Sequence, residues 1–321
     1  MIGAALRGFS RTLGSPGLIL AAWLLTVLAA LPATVALGQG LQQSFGKTLT
    51  AEKMAEGFDT GWYGEYSEEA RGIERSFDPS TAGVGGVLAN LENWADGSMT
   101  QLPAGLIGLA VIFMLAWALF LGGAIERYAF EDARRGIAGT FAAGGRYWMR
   151  FVRLAILSGV VYYGVYRLHG WLMNRVETRL LDVTEETRAM WSTLLVYAVT
   201  AFLLVAVRAC FDYAKIAIVV EDRKSALLSA VQGVAFVATH PLSTLGLVLT
   251  IAFVSAGPLA LYVWLRPSVV TPGWAGVIWV VLAGQAWIVT RLVLRLTLVA
   301  GQTSLYRTAS TSPTSSVIRG K

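Results

Sequence analysis

Long apolar runs alternate with charged stretches along this chain of 321 residues. A run of about 20 apolar residues, folded as an α-helix, crosses a hydrocarbon core about 30 Å thick. Helices are favoured because lipid offers the backbone no other hydrogen-bonding partner. We therefore predict an all-α integral membrane protein with six transmembrane helices, at residues 17–37, 104–124, 151–172, 191–211, 242–264 and 274–296.

The segments between these spans are predicted to lie at the two faces of the membrane. On the cytoplasmic face we expect amphipathic interfacial segments at 1–16, 125–150 and 212–241, and a tail at 297–321. On the other face we expect an acidic helical cap at 38–103 and loops at 173–190 and 265–273.

Composition agrees with a membrane location and excludes several other classes of protein. Charged residues make up 14% of the chain and hydrophobic residues 55%, whereas soluble domains carry about 25% charged residues. The net charge of +6 is spread along the segment ends, which argues against nucleic-acid binding. The single cysteine, Cys210, excludes an intrachain disulfide and a cysteine-based metal site.

The distribution of Lys and Arg orients the spans. Fourteen of these residues lie in segments predicted to be inside or, for Arg153, just beyond one, and eight lie in segments predicted to be outside, so the positive-inside rule places both termini in the cytoplasm. Arg7 and Arg11 also precede an apolar run that ends in small residues near Ala33 and Ala36, a pattern shared with cleaved signal peptides. The length of that run favours a retained span.

Comparison of the chain with itself indicates three similar units. Gly8 leads to Pro16 and the first span, and Gly233 leads to Pro241 and the fifth span, with a spacing of eight residues in both cases. A stretch that contains Gly144 leads into the third span without a proline. We predict a unit of surface helix, outward span and inward span that occurs three times, although Gly, Pro and Arg are common near span ends in any multi-pass protein.

The segments that follow the second and fourth spans carry a resemblance to known proteins. Residues 131–135 and 221–224 each place acidic residues before basic ones, and a glycine-containing stretch and another span follow. This order resembles a broad group of bacterial multi-pass proteins, which includes the YciC-type proteins and the membrane domain of some glycerophosphodiester phosphodiesterases. Residues 208–241 carry the resemblance best, and 126–153 carry it less well. It implies an inner-membrane module of unassigned activity that lacks the phosphodiesterase domain.

The outer segment 38–103 is acidic, with ten Asp and Glu against four Lys and Arg. Asp59, Glu65, Glu68 and Glu69 have the oxygen ligands that a divalent cation prefers. Their spacing matches no calcium-binding loop, so we predict a solvated acidic cap. Docking of another envelope protein is its functional interpretation.

Ionisable residues inside spans are costly and are therefore candidates for function. Six of them are predicted near the inner ends of the second, fourth and sixth spans: Arg208, Lys215, Arg291 and Arg295, with Asp212 and Glu126 as counter-charges. Such a basic cluster predicts a site for an anionic lipid head group or a phosphorylated metabolite. The same side chains would alternatively extend to the interface and hold helices together.

No catalytic constellation is evident, since His169 and His240 are predicted at opposite faces of the membrane. We expect a non-enzymatic accessory or scaffold subunit of a membrane complex, without a cofactor or metal. The alternative is a transporter or lipid-handling protein that uses the basic cluster, and a membrane enzyme is a third interpretation. The expected partners are membrane lipids, including anionic ones, and a membrane or envelope protein.

Overall fold

The computed structural model describes residues 2–45, 59–76, 104–130, 136–180, 186–265 and 274–310. These residues form nine α-helices and one 3₁₀ helix, and no strand occurs among them. The α-helices are α1 (Ile2–Leu13), α2 (Pro16–Phe45), α3 (Thr60–Glu69), α4 (Ala104–Ala129), α5 (Ile137–Leu180), α6 (Glu186–Val220), α7 (Ala226–Thr239), α8 (Pro241–Leu265) and α9 (Trp274–Ser310), and the 3₁₀ helix is Gly72–Ser76.

Six of these helices, α2, α4, α5, α6, α8 and α9, are long and apolar enough to cross a membrane. Each contains one of the six predicted spans and extends beyond it. The prediction of an all-α, six-span membrane protein is confirmed.

Proline determines where the short helices end. Pro16 and Pro241 are the first residues of α2 and α8, a position where the missing N–H would have no helical partner in any case. The third unit has no proline at the equivalent position, and α5 continues without a break from Ile137 to Leu180. Of the segment 125–150, predicted as a separate interfacial element, residues 125–129 therefore belong to α4 and residues 137–150 to α5.

Three glycines bring short helical segments into backbone contact with neighbouring spans. A Cβ added to any of them would collide with a carbonyl oxygen of the partner helix. At Gly8 of α1 the Cβ would lie 2.5 Å from the Thr297 oxygen of α9. At Gly144 of α5 it would overlap the Leu119 oxygen of α4, and at Gly233 of α7 the Cys210 oxygen of α6. These three helix pairs are the most extensively packed in the described part of the chain. Small residues allow this close approach between membrane helices, where dispersion forces replace the hydrophobic effect.

The three packed pairs surround a central group of spans. The helices α4, α6 and α9 contact one another pairwise, and one short segment packs on each of them. The start of α5 packs on α4, the helix α7 packs on α6, and α1 packs on α9. We call the end of the bundle that holds these short segments the inner face. Because α1 packs on α9, the first and last described helices together complete the third unit. The elements follow one another in the predicted order of short segment, outward span and inward span, and each short segment packs on an inward span.

Hydrogen bonds at the inner face link each unit to the next. In each case a residue at or just after the end of a central span meets the short segment of another unit. The Tyr128 carbonyl oxygen of α4 accepts from Arg11 of α1 at 3.1 Å, and Asp222, just after α6, accepts from Arg150 of α5 at 2.6 Å. The Tyr306 hydroxyl of α9 accepts from Gln232 of α7 at 3.0 Å. The units therefore form a closed ring.

At the opposite end of the bundle, α3 packs on the end of α2 through aromatic rings. Trp62 stacks on Phe45, with ring centroids 4.7 Å apart. Asp59 accepts hydrogen bonds from two backbone N–H groups at the start of α3, so this member of the acidic cluster caps a helix. The remaining parts of the predicted acidic cap, 46–58 and 77–103, lie outside the described residues.

Gly144→Ala and Gly145→Ala form a matched test of this packing. A Cβ at Gly144 would overlap the Leu119 carbonyl oxygen, whereas a Cβ at Gly145 would meet no atom within 4 Å. We expect Gly144→Ala to lower the free energy of unfolding by about 1–3 kcal/mol, the usual cost of overpacking. Gly145→Ala should leave it unchanged or raise it by about 0.5–1 kcal/mol through better helix propensity. Thermal unfolding in detergent measures both variants, and equal melting temperatures would contradict the assigned register.

Candidate functional site

The register of the three units places three large side chains at equivalent positions on the central spans. On each central span, one of these side chains lies two residues before the carbonyl group that meets the glycine of the short segment. They are Arg295 before Thr297, Trp117 before Leu119 and Arg208 before Cys210. The helices α9, α4 and α6 therefore present them at one level, just outward of the contacts with the short segments. Two of the three residues are cations, and the third is an aromatic ring whose face attracts a cation.

Arg295 of α9 lies over the ring of Trp117 of α4, with 3.9 Å between the guanidinium carbon and the ring centroid. Such a contact contributes about 0.5–2 kcal/mol, depending on how far it is desolvated. It holds the guanidinium in place without neutralising its charge. The indole Nε1 of Trp117 is buried and has no hydrogen-bond partner, so a free donor lies on the residue that supports the cation.

Asp212 of α6 joins two further cations. Lys215 donates to Asp212 at 2.8 Å, and the Nε of Arg208 lies 3.9 Å from the second carboxylate oxygen. These contacts have the i, i+3 and i, i+4 spacing expected on one face of a helix. Asp212 also attracts Arg295, whereas Arg208 and Arg291 repel Arg295. One carboxylate therefore serves several cations.

Lys215 and Arg295 line a cavity of about 200 Å³ between α4, α5, α6 and α9. The rest of its lining is mainly apolar and aromatic: Phe113, Trp117, Leu121, Phe151, Leu154 and Phe211 are among these residues. Met114 also lines the cavity and is 61% exposed, so the cavity opens at the surface of the bundle. The site combines a positively charged end with an apolar wall.

The structure brings together five of the six residues of the predicted cluster: Arg208, Asp212, Lys215, Arg291 and Arg295. Glu126 is the exception, because it pairs with Arg146 of α5 at 3.1 Å. Arg291 lies 5.9 Å from the ring centroid of Trp287, on its own helix. With Glu126 removed, the cluster of four cations and one carboxylate has a net charge of +3.

Trp117 is the residue of this site that the sequence analysis missed. An uncharged aromatic residue within a span has no local feature that separates a functional position from ordinary packing. The repeat contained the necessary information, since Trp117 occupies in the second span the position that Arg208 and Arg295 occupy in the fourth and sixth.

Two hydrogen bonds outward of the cluster join neighbouring spans. The Nε1 of Trp23 in α2 donates to Gln285 of α9 at 2.8 Å, and His169 of α5 lies 2.8 Å from the Thr200 hydroxyl of α6. Both bonds connect helices and leave the cluster unaffected. Within the described ranges, no group of three His, Cys, Asp or Glu residues is placed to hold a metal ion.

The turn between α6 and α7 is held by an ion pair. Asp222 has a φ of 49°, in the left-handed region that Asp tolerates better than most residues. Its carboxylate accepts from Arg150 of α5 at 2.6 Å. This hydrogen bond lowers the pKa of the Asp222 carboxyl below its ordinary value.

These features define a multi-pass α-helical membrane protein with a basic cavity between its central spans. No protein-family model matches the chain, and no curated protein or solved structure matches it. The resemblance to the YciC-type group stays a prediction.

Asp222→Asn tests the ion pair, because it removes the charge and keeps a residue suited to the turn. The pKa of Asp222 is lower in the folded chain, so the pair stabilises fully above the ordinary Asp pKa of about 3.9. This stabilisation is lost as the pH falls through the folded pKa. We expect the variant to be less stable by about 0.2–1 kcal/mol at neutral pH, as is usual for exposed pairs. Melting curves should converge in strong acid, and a difference that stayed constant down to that range would refute the assignment.

Proposed function

We propose that this protein binds the anionic head group of a membrane lipid in the cavity between α4, α5, α6 and α9. The observation that carries the proposal is the position of Arg295. Its guanidinium is held on the Trp117 ring at 3.9 Å and lines the same cavity as Lys215. A basic pocket between membrane helices, close to one face, is the arrangement that recognises acidic lipid head groups.

The size of the cavity supports a head group as the occupant. A volume of about 200 Å³ is below the range of about 300–1,000 Å³ typical of pockets that enclose a drug-sized ligand. Only the polar end of a lipid fits inside. The hydrocarbon chains would remain in the bilayer and run past the opening, where Met114 and Ala155 are exposed.

We place the inner face in the cytoplasm and the protein in the inner membrane of a bacterial cell. The excess of Lys and Arg in the inner segments supports this orientation. Exposed apolar side chains on the short helices fit an interfacial position, with these side chains toward the acyl chains. They are Ile2, Leu6, Phe9 and Leu13 on α1, and Leu227, Leu228, Val231 and Val234 on α7. The helix α7 has no charged residue of its own, and Arg223 and Lys224 precede it.

The expected role as an accessory or scaffold subunit stays a prediction, and so does the absence of enzymatic activity. The scaffold interpretation depends on the acidic outer segment, most of which lies outside the described residues. Head-group binding is the stronger proposal because it depends on described contacts.

Arg295→Gln and Arg175→Gln provide a matched test. Arg175 also lies over a tryptophan, 5.1 Å from the ring centroid of Trp171, but near the far end of α5. Removing a hydrogen bond to a charged group costs about 1.5–3 kcal/mol, so we expect Arg295→Gln to weaken binding of phosphatidylglycerol by roughly tenfold or more. Arg175→Gln should bind as the wild type does.

Native mass spectrometry measures the bound lipid for the full chain in phosphatidylcholine nanodiscs with increasing phosphatidylglycerol. Unfolding curves of both variants establish that they are folded. Equal retention of phosphatidylglycerol by the wild type and by folded Arg295→Gln would rule out the proposed site.

A further inference from the structure

The basic cluster carries more positive charge than a singly charged lipid neutralises. Arg208, Lys215 and Arg295 share the carboxylate of Asp212, and Arg291 adds a further positive charge that repels Arg295. Charges held within a membrane protein are costly unless they are paired. A phosphodiester head group brings one negative charge and would leave a net charge of +2, whereas a dianion would leave +1.

The donors in the cavity also outnumber the acceptors of a phosphodiester. Arginine has five N–H donors in a planar fork, and the lysine ammonium has three. Trp117 lines the same cavity, and its indole N–H is buried and has no hydrogen-bond partner. A phosphodiester has two non-bridging oxygens for these groups, but a phosphate monoester has three strong acceptor oxygens and up to two negative charges.

We propose that the ligand is a lipid that ends in a phosphate monoester and binds as a dianion, with its phosphate against Arg295, Lys215 and the indole N–H of Trp117. This inference rests on the proposed function, because it specifies the head group of that site. The apolar wall, which includes Phe113 and Phe151, favours a phosphate attached to a lipid over free phosphate.

Two lipids with identical acyl chains test the charge. Phosphatidic acid and phosphatidylglycerol are each titrated into the full chain in phosphatidylcholine nanodiscs, and native mass spectrometry gives the bound fraction. At about pH 8 we expect phosphatidic acid to bind at least tenfold more tightly. The preference should shrink severalfold at about pH 5, because the second pKa of a phosphate monoester is about 6. Phosphatidylglycerol keeps one charge throughout and is the internal control.

Trp117→Phe tests the indole donor. The variant keeps an aromatic ring beneath Arg295 and removes only the N–H, so we expect it to weaken binding of phosphatidic acid severalfold more than binding of phosphatidylglycerol. Equal effects on the two lipids would assign Trp117 a role in supporting Arg295 alone and would overturn its role as a donor to the third oxygen.

The outcomes separate this inference from the proposed function. Equal binding of the two lipids, lost in Arg295→Gln, would overturn the dianion and leave head-group binding in place. Binding of neither lipid by the folded wild type would overturn both proposals. Displacement of phosphatidic acid by inorganic phosphate at a similar concentration would overturn the lipid as the carrier of the phosphate.

Discussion

The architecture depends on the close approach of helix backbones at Gly8, Gly144 and Gly233. Each glycine lies against a carbonyl oxygen of a central span, where a larger side chain would collide. In lipid there is little hydrophobic gain from bringing two apolar helices together, so close packing and short contacts between Cα–H groups and carbonyl oxygens take its place. These contacts fix the register of each short segment on its span. They also determine which residues of the central spans face one another.

The ring closes through the first and last described helices. Because α1 packs on α9, these two helices form one unit. The polar contacts at the inner face then join this unit to its neighbours through Arg11 and Gln232. Stability at this face is therefore shared among all three units, and a defect at one glycine is expected to affect the whole ring.

Much of this fold could be predicted from the sequence because its determinants are local. Apolar runs identified six spans, and the Gly and Pro spacing identified the short segments. The sequence could not decide between Gly144 and Gly145, because both lie in the same stretch and only the neighbouring span shows which one is covered. The sequence also does not reveal that a short helix packs on the preceding span, or that α1 packs on the last one.

The candidate site was partly predictable for a similar reason. Charges within spans are conspicuous, and all five clustered residues lie on faces of α6 and α9 that helical spacing identifies. Glu126 was misassigned because its depth along α4 resembles that of the cluster, whereas its direction is set by Arg146 on another helix. Trp117 carries no charge and was overlooked, although the repeat marks its position.

The chain departs from the repeat at Trp117, and this departure determines the charge of the cluster at this level. Three identical units would place three arginines at one level around the central helices. These arginines would repel one another, and no aromatic ring at that level would hold any of them. With tryptophan on α4, one arginine gains a ring face to rest on and the cationic charge at this level falls from three to two. The side of the bundle that carries this tryptophan is also where α4 and α5 border the cavity. The proposed ligand site therefore lies at the exception to the internal symmetry.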